Sequence, residues 1–216
     1  MSPLINTASK VYKGNTLATK VYRGAAQVWP SGPAFVTLPP DPTTHRGVFY
    51  HLGTNGGVSA WSNPHTSGKA VVTQSTDQGG GSTPGALLDR ANSLVSQVAH
   101  TQNVSDSWMA VTLTGGPTLR LTGMSIAVRG DYNGYFFGAT PGTVLRVEGS
   151  VDGVTWTQLA YIPNTSIIKT QGAWSELSIT PAGFFVRFRV NHLGQNSNGT
   201  YHFVVGELEF YGDLTP

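Results

Sequence analysis

The sequence predicts an all-β protein built as a single sandwich, and three observations carry that expectation. Residues 145–159 read LRVEGSVDGVTWTQL. Leu145 and Val147 alternate with Arg146 and Glu148, so one strand face can be buried, and Asp152-Gly153 supplies the positive φ of a tight reversal before a second strand. The 27 glycines and 13 prolines punctuate segments crowded with Thr, Val and Ser, and no window sustains a 3.6-residue apolar period. A length of 216 residues is enough to bury a sizeable core as one main domain.

Taken from the N-terminus, Lys10-Val11-Tyr12-Lys13-Gly14 returns ten residues later as Lys20-Val21-Tyr22-Arg23-Gly24, and the segment leaves through Val28-Trp29-Pro30. Alternating apolar positions closed by glycine predict a small β-meander, with turns at Gly14-Asn15 and Gly24-Ala25. Such short strands cannot be stable alone, which makes residues 1–30 a hairpin segment that needs a partner surface. Residues 31–46 carry Pro33, Pro39, Pro40 and Pro42 and are expected as an extended, semi-rigid linker. The sandwich then occupies 47–216. Within it, residues 84–98 are the best helical candidate, expected to make a turn or two, and strands are expected near Trp108, over 119–128, in the hairpin above, and over 201–212.

Charge excludes several function classes. Lys10, Lys13, Lys20 and Arg23 give the first forty residues +4 and leave −2 to the remainder. They alternate with Val and Tyr on expected strands, with no helix to enter a groove, so a nucleic-acid partner is not expected. No apolar run reaches membrane-span length, so no membrane insertion is expected, and with no cysteine there is neither a disulfide framework nor a thiolate metal site. Only 11% of residues are charged, which leaves a surface of Ser, Thr, Asn, Gln and Gly suited to a particle component or an extracellular binder.

Four motifs in order carry a family resemblance: His100 to Asn103 with Ser107-Trp108, Arg129 to Tyr132, Gly149 to Trp156, and Glu209 to Gly212. Together they resemble the discoidin-like or coagulation-factor C-type domains of the galactose-binding-like superfold, most of all the branch appended to BTB and HECT proteins. The resemblance spans residues 47–212. It implies a discoidin-like jelly-roll β-sandwich of about eight main strands with an N-terminal β-hairpin extension. The Lys-Val-Tyr-x-Gly repeat with its Val-Trp-Pro exit resembles the N-terminal segments of bacteriophage minor tail and tail-fibre proteins. That implies a virion protein, present in several copies, which meets other tail proteins through residues 10–30 and a host cell-surface glycan through its sandwich. A purely structural tail or baseplate role is the alternative.

Candidate ligand-binding residues are the aromatics of the loop GDYNGYFFGATPG, namely Tyr132, Tyr135, Phe136 and Phe137, with Arg129 before them and Trp61 in GGVSAWSNPHTSG. Aromatic faces stack on sugars, yet rings at such positions also pack against the sandwich. Trp108, Trp156 and Trp174 lie at strand starts or within strands and are expected to be buried. Arg129-Gly130-Asp131 spells the tripeptide read by integrins; the structural reading, fastening a strand end to neighbouring loops, is preferred.

Galactose-binding-like carbohydrate modules often hold a structural calcium, which the resemblance would place on Asp89, Asn92 and Glu207, although Arg90 stands where a glycine is usual. A catalytic role is not expected. A glycosidase needs two carboxylates across one cleft, and no such pair stands out; nor do the six histidines fall at ligand spacing.

Overall fold

The computed structural model describes residues 12–13, 16–17, 21–23 and 26–29 by backbone alone, and then 35–79, 83–91, 98–130, 135, 137, 142 and 144–216, with Val144 again by backbone. In the N-terminal region β1 (Tyr12–Lys13) pairs antiparallel with β2 (Thr16–Leu17), and β3 (Val21–Arg23) with β4 (Ala26–Trp29). The expected turns, Gly14-Asn15 and Gly24-Ala25, lie outside the described residues. The four strands make two separate ladders rather than one meander.

The remaining elements are β5 (Val36–Leu38), α1 (Val48–Gly53), β6 (Ala70–Gln74), β7 (Ala99–His100), β8 (Ser107–Leu113), β9 (Leu119–Ala127), β10 (Val144–Ser150), β11 (Thr157–Pro163), β12 (Trp174–Ser178), β13 (Arg187–Leu193), β14 (Val204–Val205) and β15 (Glu207–Leu214). They form a five-stranded sheet of order β11-β10-β13-β8-β6 and a four-stranded sheet of order β12-β9-β15-β5, with β14 paired to β7 beside them. Every pairing is antiparallel. The chain is therefore an all-β jelly-roll sandwich. A single 3₁₀ turn, Pro84–Leu88, stands where the helical candidate was expected, and 92–97 lie outside the described residues.

Alternation within strands explains the core. Met109 and Val111 of β8, Leu145 and Val147 of β10, and Phe188 and Val190 of β13 are buried against Leu121, Met124 and Ile126 of β9 and Leu208 and Phe210 of β15. Phe188 and Phe210 meet edge to face with ring centroids 5.3 Å apart, which ties the two sheets together.

Strand β15 is buried on both faces, and the segment expected as a linker supplies part of the cover, with α1 and residues 89–91 supplying the rest. Residues 36–38 pair with 212–214 as the edge strand β5, and Pro39-Pro40 end it after three residues, as proline does at a sheet edge. Beyond them Asp41 accepts hydrogen bonds through Oδ1 from the Thr43 and Thr44 amides at 3.2 and 2.9 Å, and Tyr211 Oη donates to the Asp41 carbonyl at 3.3 Å. His45 stacks on Trp174 at 4.0 Å. Part of the expected linker, residues 36–38, is thus a strand of the sandwich sheet. The unexpected helix α1 follows at once, held down because a Cβ on Gly47 would lie 2.1 Å from the Phe210 carbonyl oxygen, so that only glycine permits the approach.

Candidate functional site

The outer face of the five-stranded sheet carries a groove of about 230 Å³ lined by Thr73, Trp108, Thr112, Trp156, Arg187 and Arg189. Its floor follows from the strand period. Trp108, Ala110 and Thr112 alternate with the buried Met109 and Val111, and the antiparallel register sets Asn191, Arg189 and Arg187 beside them. On the other flank of β13, Glu148 of β10 lies opposite Arg189.

Trp156 reaches this face from the β10–β11 hairpin, whose turn is built by the Asp-Gly pair. Asp152 Oδ1 accepts from the Val154 and Thr155 amides, both at 2.8 Å, the Gly153 amide donates to Ser150 Oγ at 2.8 Å, and Gly153 has φ 79°. Those backbone bonds hold the Asp152 carboxyl down at about 2. Arg187 Nη1 donates to the Asp152 carbonyl at 2.7 Å and fastens the turn to the sheet.

The Arg189 guanidinium then sits 4.2 Å from the Trp156 ring centroid and 6.0 Å from that of Trp108. Glu148 fixes it there. Its Oε2 accepts from Arg189 Nε at 2.8 Å and from Asn191 Nδ2 at 2.7 Å, while its Oε1 lies 3.1 Å from Arg146 Nε. Glu148 is only 7% exposed, so a buried carboxylate holds two arginine heads at the surface of the sheet.

None of the strand tryptophans expected to be buried is so. Trp108, Trp156 and Trp174 are all half-exposed. Period-two alternation gives two faces without saying which is inner, and Trp108 falls on the outer one. The usable signal was the run Arg187, Arg189, Asn191 alternating with Phe188 and Val190, which marks a polar outer face next to the Trp108 strand.

The expected loop aromatics divide. Phe137 is fully buried and meets Phe203 edge to face at 5.6 Å, so it is a core residue and not a ligand contact. Tyr135 is half-exposed at φ 58°, with its ring 5.7 Å from His100 and 5.4 Å from His202. His100 Nε2 lies 3.2 Å from His202 Nδ1, and burial together with the neighbouring His202 and Arg129 pushes His100 down to about 4. Arg129 is half-buried, and its backbone carbonyl accepts from the Gly172 amide at 3.1 Å, a main-chain contact and not the charge-assisted side-chain bond expected. Tyr132, Phe136 and Asp131 lie outside the described residues.

Trp61 belongs to a different cluster. It stacks on Tyr50 at 6.1 Å with ring planes 10° apart, and the Arg90 guanidinium covers Trp61 at 5.5 Å and Tyr50 at 5.1 Å. Arg90 also donates to the His45 and Thr44 carbonyls at 2.7 and 2.8 Å, and stands 3.6 Å from the buried Glu209. Glu209 in turn accepts from the Phe49 and Tyr50 amides at 2.7 and 3.1 Å, so this cluster clamps α1 onto β15.

Asp89 and Glu207 do come together. The Ala91 amide donates to Asp89 Oδ1 at 2.9 Å and to Glu207 Oε1 at 2.5 Å, and the Glu207 carboxyl is pushed up to about 10, first by burial and then by its hydrogen bond to Asp89 and that residue's charge. A buried carboxylate beside a second, half-exposed one takes up either a proton or a cation, so the oxygen set fits calcium in kind. Asn92 lies outside the described residues, and among the described residues no group of three His, Cys, Asp or Glu converges on one point.

Three solved structures from Clostridium perfringens share this fold. A family 32 carbohydrate-binding module of NanJ in complex with galactose aligns with a TM-score of 0.53 and 13% identity over 69% of this chain and 96% of its own. The fifth family 32 module of a family 89 glycoside hydrolase, in complex with GalNAc-β-1,3-galactose, gives 0.53 and 14% over 67% and 96%. The third such module from a family 31 glycoside hydrolase gives 0.54 and 13% over 68% and 92%. The fold is the galactose-binding-like, discoidin-like sandwich. No protein-family model matches the chain, and no curated protein matches it.

Proposed function

We propose that this protein is a non-catalytic carbohydrate-binding module of a phage tail tip or fibre, and that the groove between Trp108 and Trp156 takes the sugar. The single observation that carries the reading is the Trp108–Arg189–Trp156 arrangement, with Arg189 held by Glu148. Two indole rings supply apolar area for the C–H face of a sugar, while arginine and the Thr73 and Thr112 hydroxyls supply directional hydrogen bonds. The floor of the groove is three hydrogen-bonded strands, β6, β8 and β13, so little ordering entropy opposes binding there. That three solved sandwiches of this fold are modules of carbohydrate-binding proteins supports the same class.

The phage context rests on the repeat at residues 10–24, with β1–β4 as the attachment element to neighbouring tail proteins. Weak single-module affinity, multiplied over several copies on one particle, would give adhesion to a host surface glycan. When bound, a calcium ion between Asp89 and Glu207 would supply charge neutralisation that pins the 83–91 segment to the start of β15. The test is retention of the whole chain, displayed multivalently, on host cell-wall polysaccharide. Trp156→Ala and Trp108→Ala should each lower retention. No retention of the wild type would favour the purely structural role, and retention unchanged in both variants would move the site to the Tyr135 end.

A further inference from the structure

From the distribution of charge around the groove, we infer that its ligand is an acidic glycan, one carrying carboxylate or phosphodiester groups. The inference rests on the reading of the groove as a carbohydrate site and adds the ligand's charge. Charged residues are scarce in this chain, at 11% of the total, yet three of its arginines lie on one sheet face: Arg146 on β10, and Arg187 and Arg189 on β13. The groove-lining charges are Arg187 and Arg189.

The carboxylates nearby are already committed. Glu148 is enclosed beneath the surface by Arg189, Asn191 and Arg146. Asp152 spends Oδ1 on the amides of its own turn and on Ser150 Oγ. Arg146, Arg187 and Arg189 against Glu148 and the ionised Asp152 of the turn leave one net positive charge, and the two charges that line the groove itself are both arginines. A neutral hexose would not need this arrangement, since hydroxyls are satisfied by threonine, asparagine or backbone groups. Guanidinium forks, by contrast, match the paired oxygens of a carboxylate or phosphate, and Glu148 occupies the Nε edge of Arg189 in a way that fixes the direction of the rest of the fork.

The spacing is compatible with a repeating polymer. Arg187 and Arg189 are two residues apart on one face of β13, about 7 Å along the strand, and the tryptophans flank the second of them. One sugar ring would rest against indole while its acidic substituent, or that of the next unit, meets an arginine.

The experiment compares four polymers on the whole chain: polygalacturonate, the same polymer fully methyl-esterified, polyglycerol-phosphate teichoic acid, and neutral galactan. Retention on polygalacturonate or on the teichoic acid, with loss on the methyl ester and on galactan, is the expected result, and the acidic polymer that is retained identifies carboxylate or phosphate as the source of charge. Arg187→Gln should weaken that retention about tenfold. Arg187→Lys should restore part of it, and unchanged melting of the Gln variant would separate binding from its bond to the hairpin turn. Equal or better retention on the methyl ester or galactan overturns the acidic ligand and leaves the carbohydrate site standing. Retention on none of the four overturns both.

Discussion

Glu207 offers a prediction whose size follows from the structure. Burial and the adjacent Asp89 raise its carboxyl to about 10 from an ordinary value of 4.5. Between pH 7 and 9 the folded protein therefore keeps a proton that the unfolded chain has released, and stability falls as pH rises. Each pH unit removes about 1.4 kcal/mol, or about 2.7 kcal/mol across the window. The window is chosen because the depressed histidines, His100 and His192 at about 4, are neutral in the folded state throughout it. Groups that still titrate there cancel when the wild type is compared with Glu207→Gln. Urea unfolding followed by tryptophan fluorescence, in chelator, should show the wild type losing about 2.7 kcal/mol more than the variant between pH 7 and 9. Excess calcium should abolish the wild-type slope and raise its stability by mass action. Equal slopes for wild type and variant in chelator would refute the shared proton. Indifference of both slope and midpoint to calcium would refute the cation.

Two further outcomes separate core from surface. Phe137→Ala should cost about 3 to 5 kcal/mol, as for other buried aromatic truncations, whereas Tyr135→Ala in the same loop should cost about 1 kcal/mol; denaturant midpoints check both. Deleting residues 1–30 should leave a folded, soluble sandwich with an unchanged melting transition, because the described sandwich core starts at β5; precipitation of that truncation would place β1–β4 in the core.

The fold was legible where local signals agreed. The Asp152-Gly153 turn, the β10 alternation and the β15 ending could be read directly because turn chemistry and a period of two point the same way there. Strand β5 was hidden because Pro39 and Pro40 read as linker, although prolines beside an edge strand leave its three residues free to pair. Helix α1 was hidden because six residues are too few for a 3.6-residue period to emerge, and what holds it is the long-range Glu209 carboxylate. The groove was missed for a different reason. Alternation gives two faces of a strand but not which is inner, so Trp108 and Trp156 were assigned to the core, and Arg189 carries no local mark of its contact with them. The Asp89–Glu207 approach could be anticipated only through the family resemblance, since 118 residues separate the two in sequence.

Whether the sheet-face groove is the sugar site can be read from the tryptophans themselves. The chain has five, at 29, 61, 108, 156 and 174, each with one indole N–H resonance in an amide-proton correlation spectrum. Titration with the retained polysaccharide, after assignment by single Trp→Phe variants, should shift the Trp108 and Trp156 signals together and leave Trp174, stacked on His45, unmoved. Shifts confined to Trp61, with Trp108 and Trp156 unchanged at saturation, would contradict the account.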